Sequence, residues 1–137
     1  MLTELKLYAT CIVAIIVIDF IWIGLLMKSF YVEQMRLIGR ISGDKFEPVF
    51  WAAGLTYVVL SIGIVQFVLP KIGTETSWIS AFGIGALFGF VIYATYDLTN
   101  YSTLKDWNLI LTFTDLTWGA VLGGFVTLIT RYARDMN

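Results

Sequence analysis

The amino-acid sequence predicts an all-α membrane protein, a compact bundle of four transmembrane helices with a short interfacial segment between the first and second helices. Three observations predict it. Hydrophobic residues make up 58% of the 137 positions and charged residues 14%, against about 45 to 50% apolar and 25% charged in soluble domains. The mean hydropathy is +0.81, which leaves too little polar surface for a dissolved chain. Four apolar runs are each long enough for the roughly 20 residues that a spanning helix needs. Only short connections remain between them, so the chain reads as a single transmembrane domain.

The first span is expected over about 5–27, with Asp19 as its only ionisable group apart from Lys6 at the edge. It is longer than the core of a secretory signal and carries an acid in place of a small-residue cleavage site, so it reads as a retained span. The segment from Lys28 to Glu47 mixes Arg36, Arg40 and Lys45 with Phe30, Tyr31, Met35 and Ile38. That mixture suits a short helix lying in the interface. Ser42, Gly43 and Asp44 mark a turn after it.

The second span is expected over about 48–69, opened by Pro48, whose missing amide proton is one that a helix start leaves unpaired. Pro70 and Lys71 end it. After a polar turn from Gly73 to Ser77, the third span covers about 78–101 and the fourth about 107–130, followed by a tail bearing Arg131 and Arg134. Trp51, Trp78 and Trp107 fall at span ends, where an amphipathic ring sits between lipid and water.

An even number of spans puts Lys6, Lys71, Arg131 and Arg134 on the side where the chain starts, side A, and Lys28, Arg36, Arg40, Lys45 and Lys105 on side B. A difference of one charge leaves the orientation open. The net charge of -1 brings no basic face, which argues against a nucleic-acid partner. Cys11 is the sole cysteine, so neither a disulfide framework nor a zinc site is expected. With no histidine in the chain, histidine-ligated haem, zinc peptidase and serine–histidine chemistry are excluded. No metal site and no catalytic residue is assigned. Any enzyme here would have to work with carboxylates, with Mg²⁺ as a suitable oxygen-liganded ion.

Three acids lie inside predicted spans. Asp19 and Asp115 stand eight residues from the side-B ends of their spans, roughly 12 Å deep at 1.5 Å per residue. Asp97 stands four residues from its end, about 6 Å deep and shallow enough to reach interfacial water. An ionised carboxylate at the centre of a spanning helix costs about 2.5 to 3.5 kcal/mol on insertion scales. The three must therefore be protonated, share protons, hold a cation, or pair with Arg36, Arg40 or Lys105. On the third helix Gly85, Gly89, Tyr93, Tyr96, Asp97 and Asn100 share a face, and on the fourth Asn108, Thr112, Asp115, Gly119 and Gly123 do. Antiparallel packing would set Gly89 near Gly119 and Gly85 near Gly123, bringing Asp97 toward Asp115. Asp19 with Trp22, and Asp115 with Trp118, repeat an Asp-x-x-Trp pattern in which each indole N–H can reach the acid one turn before it. Tyr57 and Gln66 read as packing or interface residues.

The strings DFIWIG (Asp19 to Gly24), YATYDLTNYSTLKDW (Tyr93 to Trp107) and TDLTWG (Thr114 to Gly119) resemble a bacterial family of predicted membrane proteins, the domain of unknown function numbered 2177. The likeness covers nearly the whole chain. It implies a bacterial inner-membrane address and a joint role for Asp19, Trp22, Tyr96, Asp97, Asn100, Asp115 and Trp118, and it brings no established activity.

The reading that follows is a proton, cation or small-ligand site built from Asp19, Asp97, Asp115, Asn100 and Tyr96, open to side B beneath the Lys28 to Glu47 segment. Trp22 and Trp118 support it and Arg36 or Arg40 gates or neutralises it. Gly85, Gly89, Gly119 and Gly123 serve packing. The partners expected are the lipid bilayer and a second copy or another membrane protein. One alternative is a non-catalytic assembly protein whose acids are interhelical glue, in bonds worth about 0.6 kcal/mol each. Another is a carboxylate-dependent lipid-modifying enzyme.

Overall fold

The computed structural model describes residues 2–136. Four helical stretches are long and apolar enough to cross a membrane: Glu4–Leu26, Phe50–Lys71, Trp78–Thr103 and Leu109–Asp135. The first consists of α1 (Leu2–Asp19) continued by a π-helical segment, Phe20–Leu26. Its wider turn is seen in the bond from Met27 N–H to the Trp22 carbonyl, five residues back, at 2.7 Å. The second is α3 (Phe50–Gly63), followed by a π-helical segment, Ile64–Val68, and a 3₁₀ turn, Leu69–Lys71, which holds Pro70. Pro48 falls two residues before α3, which starts after Val49 in extended conformation. The last two spans are α4 (Trp78–Thr103) and α5 (Leu109–Asp135).

Side chains start the last two helices. Ser77 Oγ accepts from Ser80 N–H at 3.1 Å and Asn108 Oδ1 from Leu111 N–H at 2.8 Å, each satisfying an amide that the first turn leaves without a partner. The final turns carry Arg131 and Arg134 within α5 and not in a loose tail, because both guanidinium groups find acceptors. Arg134 donates to the Leu69 and Ile72 carbonyls at 3.1 and 2.8 Å. Arg131 reaches the carbonyls of Ser77 and Thr74 and lies over the Trp78 ring. The two arginines thus pin the loop between the second and third spans to the end of the fourth.

α5 is the central helix. It packs most extensively on α4, then on α1, and also meets the π segment of the second span. The α4 contact is close because glycines face each other. A methyl at Gly89 would fall on the Gly119 carbonyl, and one at Gly123 on the Gly85 carbonyl, so the backbones touch where a larger residue would hold them apart.

Between the first two spans lies α2 (Lys28–Gln34), followed by turns and a small hairpin in which β1 (Ile41–Ser42) pairs antiparallel with β2 (Lys45–Phe46). Gly43, at φ +59, makes the turn, a conformation that costs other residues energy. Tyr31 and Val32 of α2 are buried. Tyr31 joins Trp107 and Leu111 in a small apolar cluster at the side-B end. Trp107, expected at the lipid–water boundary, is instead buried and donates from Nε1 to Thr112 Oγ1 at 3.1 Å.

Candidate functional site: an intramembrane carboxyl nest

Asp19, Asp97 and Asp115 stand seven, six and six residues from the side-B ends of their spans, about 10 Å deep in each case. Asp97 is deeper than the sequence suggests because α4 runs on to Thr103, and it is 0% exposed, out of reach of interfacial water.

Asp19, at the junction of α1 with its π segment, receives two donors from two other helices. Trp118 Nε1 donates to Oδ1 at 2.9 Å and the Tyr57 hydroxyl to Oδ2 at 3.2 Å. Asp115 on α5 receives the Tyr31 hydroxyl at 2.5 Å, and Tyr31 in turn accepts from Trp22 Nε1 at 3.1 Å. Burial first, and then the charge of Asp115, push the Tyr31 phenol above the ordinary phenol range. The two Asp-x-x-Trp elements are therefore cross-wired. Trp118 serves the acid of the first span, and Trp22 reaches Asp115 only through a phenol. The indoles stack with centroids 4.4 Å apart and an interplanar angle of 5°, a spacing at which neither can turn back toward the acid on its own helix.

Asp97 differs from the other two. Neither of its carboxyl oxygens meets a donor, and the group facing it within hydrogen-bonding reach is the Asp115 carboxyl. Two carboxylates offer each other only lone pairs, so this contact becomes a hydrogen bond when one of them carries a proton. Asn100, one turn further along α4, has a buried Nδ2 without a partner. Tyr93, whose ring fills the space left by Gly119, stands within electrostatic reach of Asp19, Asp115, Tyr31 and Tyr57.

Several residues named from sequence fall outside this nest. Tyr96 is 58% exposed and packs edge-on against Trp107, because on the observed α4 axis it points away from α5. Arg36 is exposed and pairs with Asp44 at 3.2 Å, and Arg40 is exposed near the hairpin. Among the described residues no ion pair joins any of the three acids to Arg36, Arg40 or Lys105, since the hairpin holds the arginines above the acids. Nor do three acids converge closely enough, among the described residues, to hold one metal ion. Conversely, three tyrosines supply or neighbour the acids although the sequence marks them only as interfacial, packing or face-sharing: Tyr31, Tyr57 and Tyr93. For Tyr57 the signal that could have found it is the depth of its phenol. Tyr57 stands seven residues into the second span from side B, level with Asp19.

The fold and this nest define a class: a small multi-pass membrane protein whose densest polar cluster is sheltered inside the bundle. The chain belongs to the family described as predicted membrane protein (DUF2177), whose profile matches residues 4–132. No curated protein and no solved structure matches it.

Proposed function

We propose that this protein binds and releases a proton within the membrane, at the Asp97–Asp115 pair, and that the pair is the working part of a proton-coupled function. One observation carries the reading: a fully buried carboxyl that no donor in the protein satisfies, opposed by a second carboxyl. Two full charges about 4 Å apart repel by roughly 4 kcal/mol even at an effective dielectric constant of about 20. A single shared proton removes that repulsion and supplies the missing donor. Asp97, Asp115 and Tyr31 thus form a unit that can hold one proton or none. Asn100 lies beside it with a free amide donor that can steady Asp97 when the proton leaves.

Asp19 favours a second, separate reading. Its two donors come from α3 and α5, so it ties three helices together with a donor on each carboxyl oxygen, which is the interhelical-glue role. The two readings concern different acids and are compatible.

The address we propose is the bacterial inner membrane, supported by the family likeness. Moving a proton or ligand fully across the bilayer with so small a bundle would need a second copy. The test is infrared spectroscopy of the purified protein in lipid at neutral pH. A protonated-carboxyl C=O band is expected in the wild type and is lost in both Asp97→Asn and Asp115→Asn. A wild type without that band would refute the shared proton.

A further inference from the structure

We infer that α2 is a lid over the acid pair and that Tyr31 is its latch, so that Asp97 and Asp115 exchange their proton with side B only when α2 lifts. The inference rests on the proton-site reading above and adds how the site is opened.

α2 is seven residues long and presents only Tyr31 and Val32 as buried side chains. Lys28, Ser29, Glu33, Arg36 and Leu37 around them are exposed. Three side-chain bonds tie it to the bundle. The Tyr31 hydroxyl donates to Asp115 while accepting from Trp22, and Asn108 Nδ2 donates to Gln34 Oε1 at 2.9 Å. An element held by so small a buried area opens at far lower cost than the bundle unfolds. The alternative route, parting α4 from α5, is blocked by backbone contact at four glycines.

The hinge is built in. Phe20–Leu26 is π-helical, a conformation rare in proteins and frequent at functional sites, and it joins Asp19 directly to the break at Met27 before α2. Tightening that segment to an α-helix would rotate everything after it, withdrawing Trp22 from Tyr31 and Tyr31 from Asp115. Asp115 would then lose its phenol donor as water arrives, and the shared proton would pass to that water. The closed form keeps the proton because the buried Tyr31 ring packs with Trp107 and Leu111 in the side-B cluster while its hydroxyl holds Asp115.

The experiment uses full-length protein in lipid nanodiscs and follows hydrogen–deuterium exchange of the protonated-carboxyl band. In a Cys11→Ala background, Gln34→Cys and Asn108→Cys are bridged by a short bifunctional thiol reagent that a reductant cleaves. Bridging is expected to slow exchange about tenfold or more, as removal of a local opening does, and cleavage is expected to restore it. Tyr31→Phe keeps the ring that packs and removes the latch, so exchange is expected to quicken about tenfold while the circular dichroism spectrum is unchanged. An exchange rate indifferent to bridging, or to Tyr31→Phe where bridging does not form, overturns the lid and leaves the shared proton standing. Absence of the band altogether overturns both.

Discussion

Asp97→Asn is the substitution whose energetics separate a shared proton from a doubly ionised pair. The amide has nearly the same volume as the carboxyl, so it leaves no cavity in a site that is 0% exposed. Its NH₂ also supplies permanently the donor that the shared proton supplies in the wild type. One hydrogen bond replaces another of similar net worth, about 1 kcal/mol. The unfolding free energy is therefore expected to move by no more than about 1 kcal/mol. Asp97→Ala removes the partner of Asp115 and leaves a gap, and is expected to cost about 1 to 3 kcal/mol. If both carboxyls were instead ionised, Asn would remove a repulsion of roughly 4 kcal/mol and stabilise the protein visibly. The assay is reversible unfolding in mixed detergent micelles, followed by tryptophan fluorescence, with the infrared band read on the same samples. Stabilisation of about 3 kcal/mol or more by Asn, with no carboxyl band in the wild type, would refute the reasoning.

The remaining predictions concern the frame of the site. Trp118→Phe preserves the stack on Trp22 but removes the indole donor from Asp19, and is expected to destabilise by about 1 to 3 kcal/mol in the same unfolding assay, more than Tyr57→Phe, whose bond is the longer of the two. Gly89→Ala places a methyl on the Gly119 carbonyl, and should cost about 1 to 3 kcal/mol while weakening the carboxyl band, because the helices that carry Asp97 and Asp115 must part. The Tyr31 phenol, raised by burial and by Asp115, should stay protonated at pH values where an ordinary phenol, near about 10, ionises. The wild-type minus Tyr31→Phe ultraviolet difference should then show no phenolate in that range. Because the folded state holds this proton more tightly than the unfolded one, stability falls as pH rises above about 10.

Sequence by itself determined the number of spans, and the physical reason is strong. A backbone in hydrocarbon must satisfy its own hydrogen bonds, so four long apolar runs can hardly be anything but four helices. It also put Asp19, Asp97 and Asp115 toward one side of the membrane, since helical rise converts position directly into depth, although only the run of α4 to Thr103 brings Asp97 level with the other two. Four-residue glycine spacing on two antiparallel helices likewise points to the α4–α5 contact.

What tertiary structure alone decided is which donor meets which acid. Spacing along one helix puts each tryptophan near its own aspartate, yet the antiparallel packing of α1 against α5 exchanges them and interposes Tyr31. Rotation about a helix axis also decided that Tyr96 faces outward while Asp97, one residue on, is sealed in, because a step of about 100° separates adjacent side chains. The π-helical turns after Asp19 leave no periodic mark in a uniformly apolar run, and the mixed composition that marks α2 as a short interfacial helix does not show that Tyr31 reaches into the bundle. Partners contributed by a neighbouring element depend on contacts between residues far apart in the chain, as with Tyr31 and Asp115, which are 84 positions apart, and no local pattern encodes them.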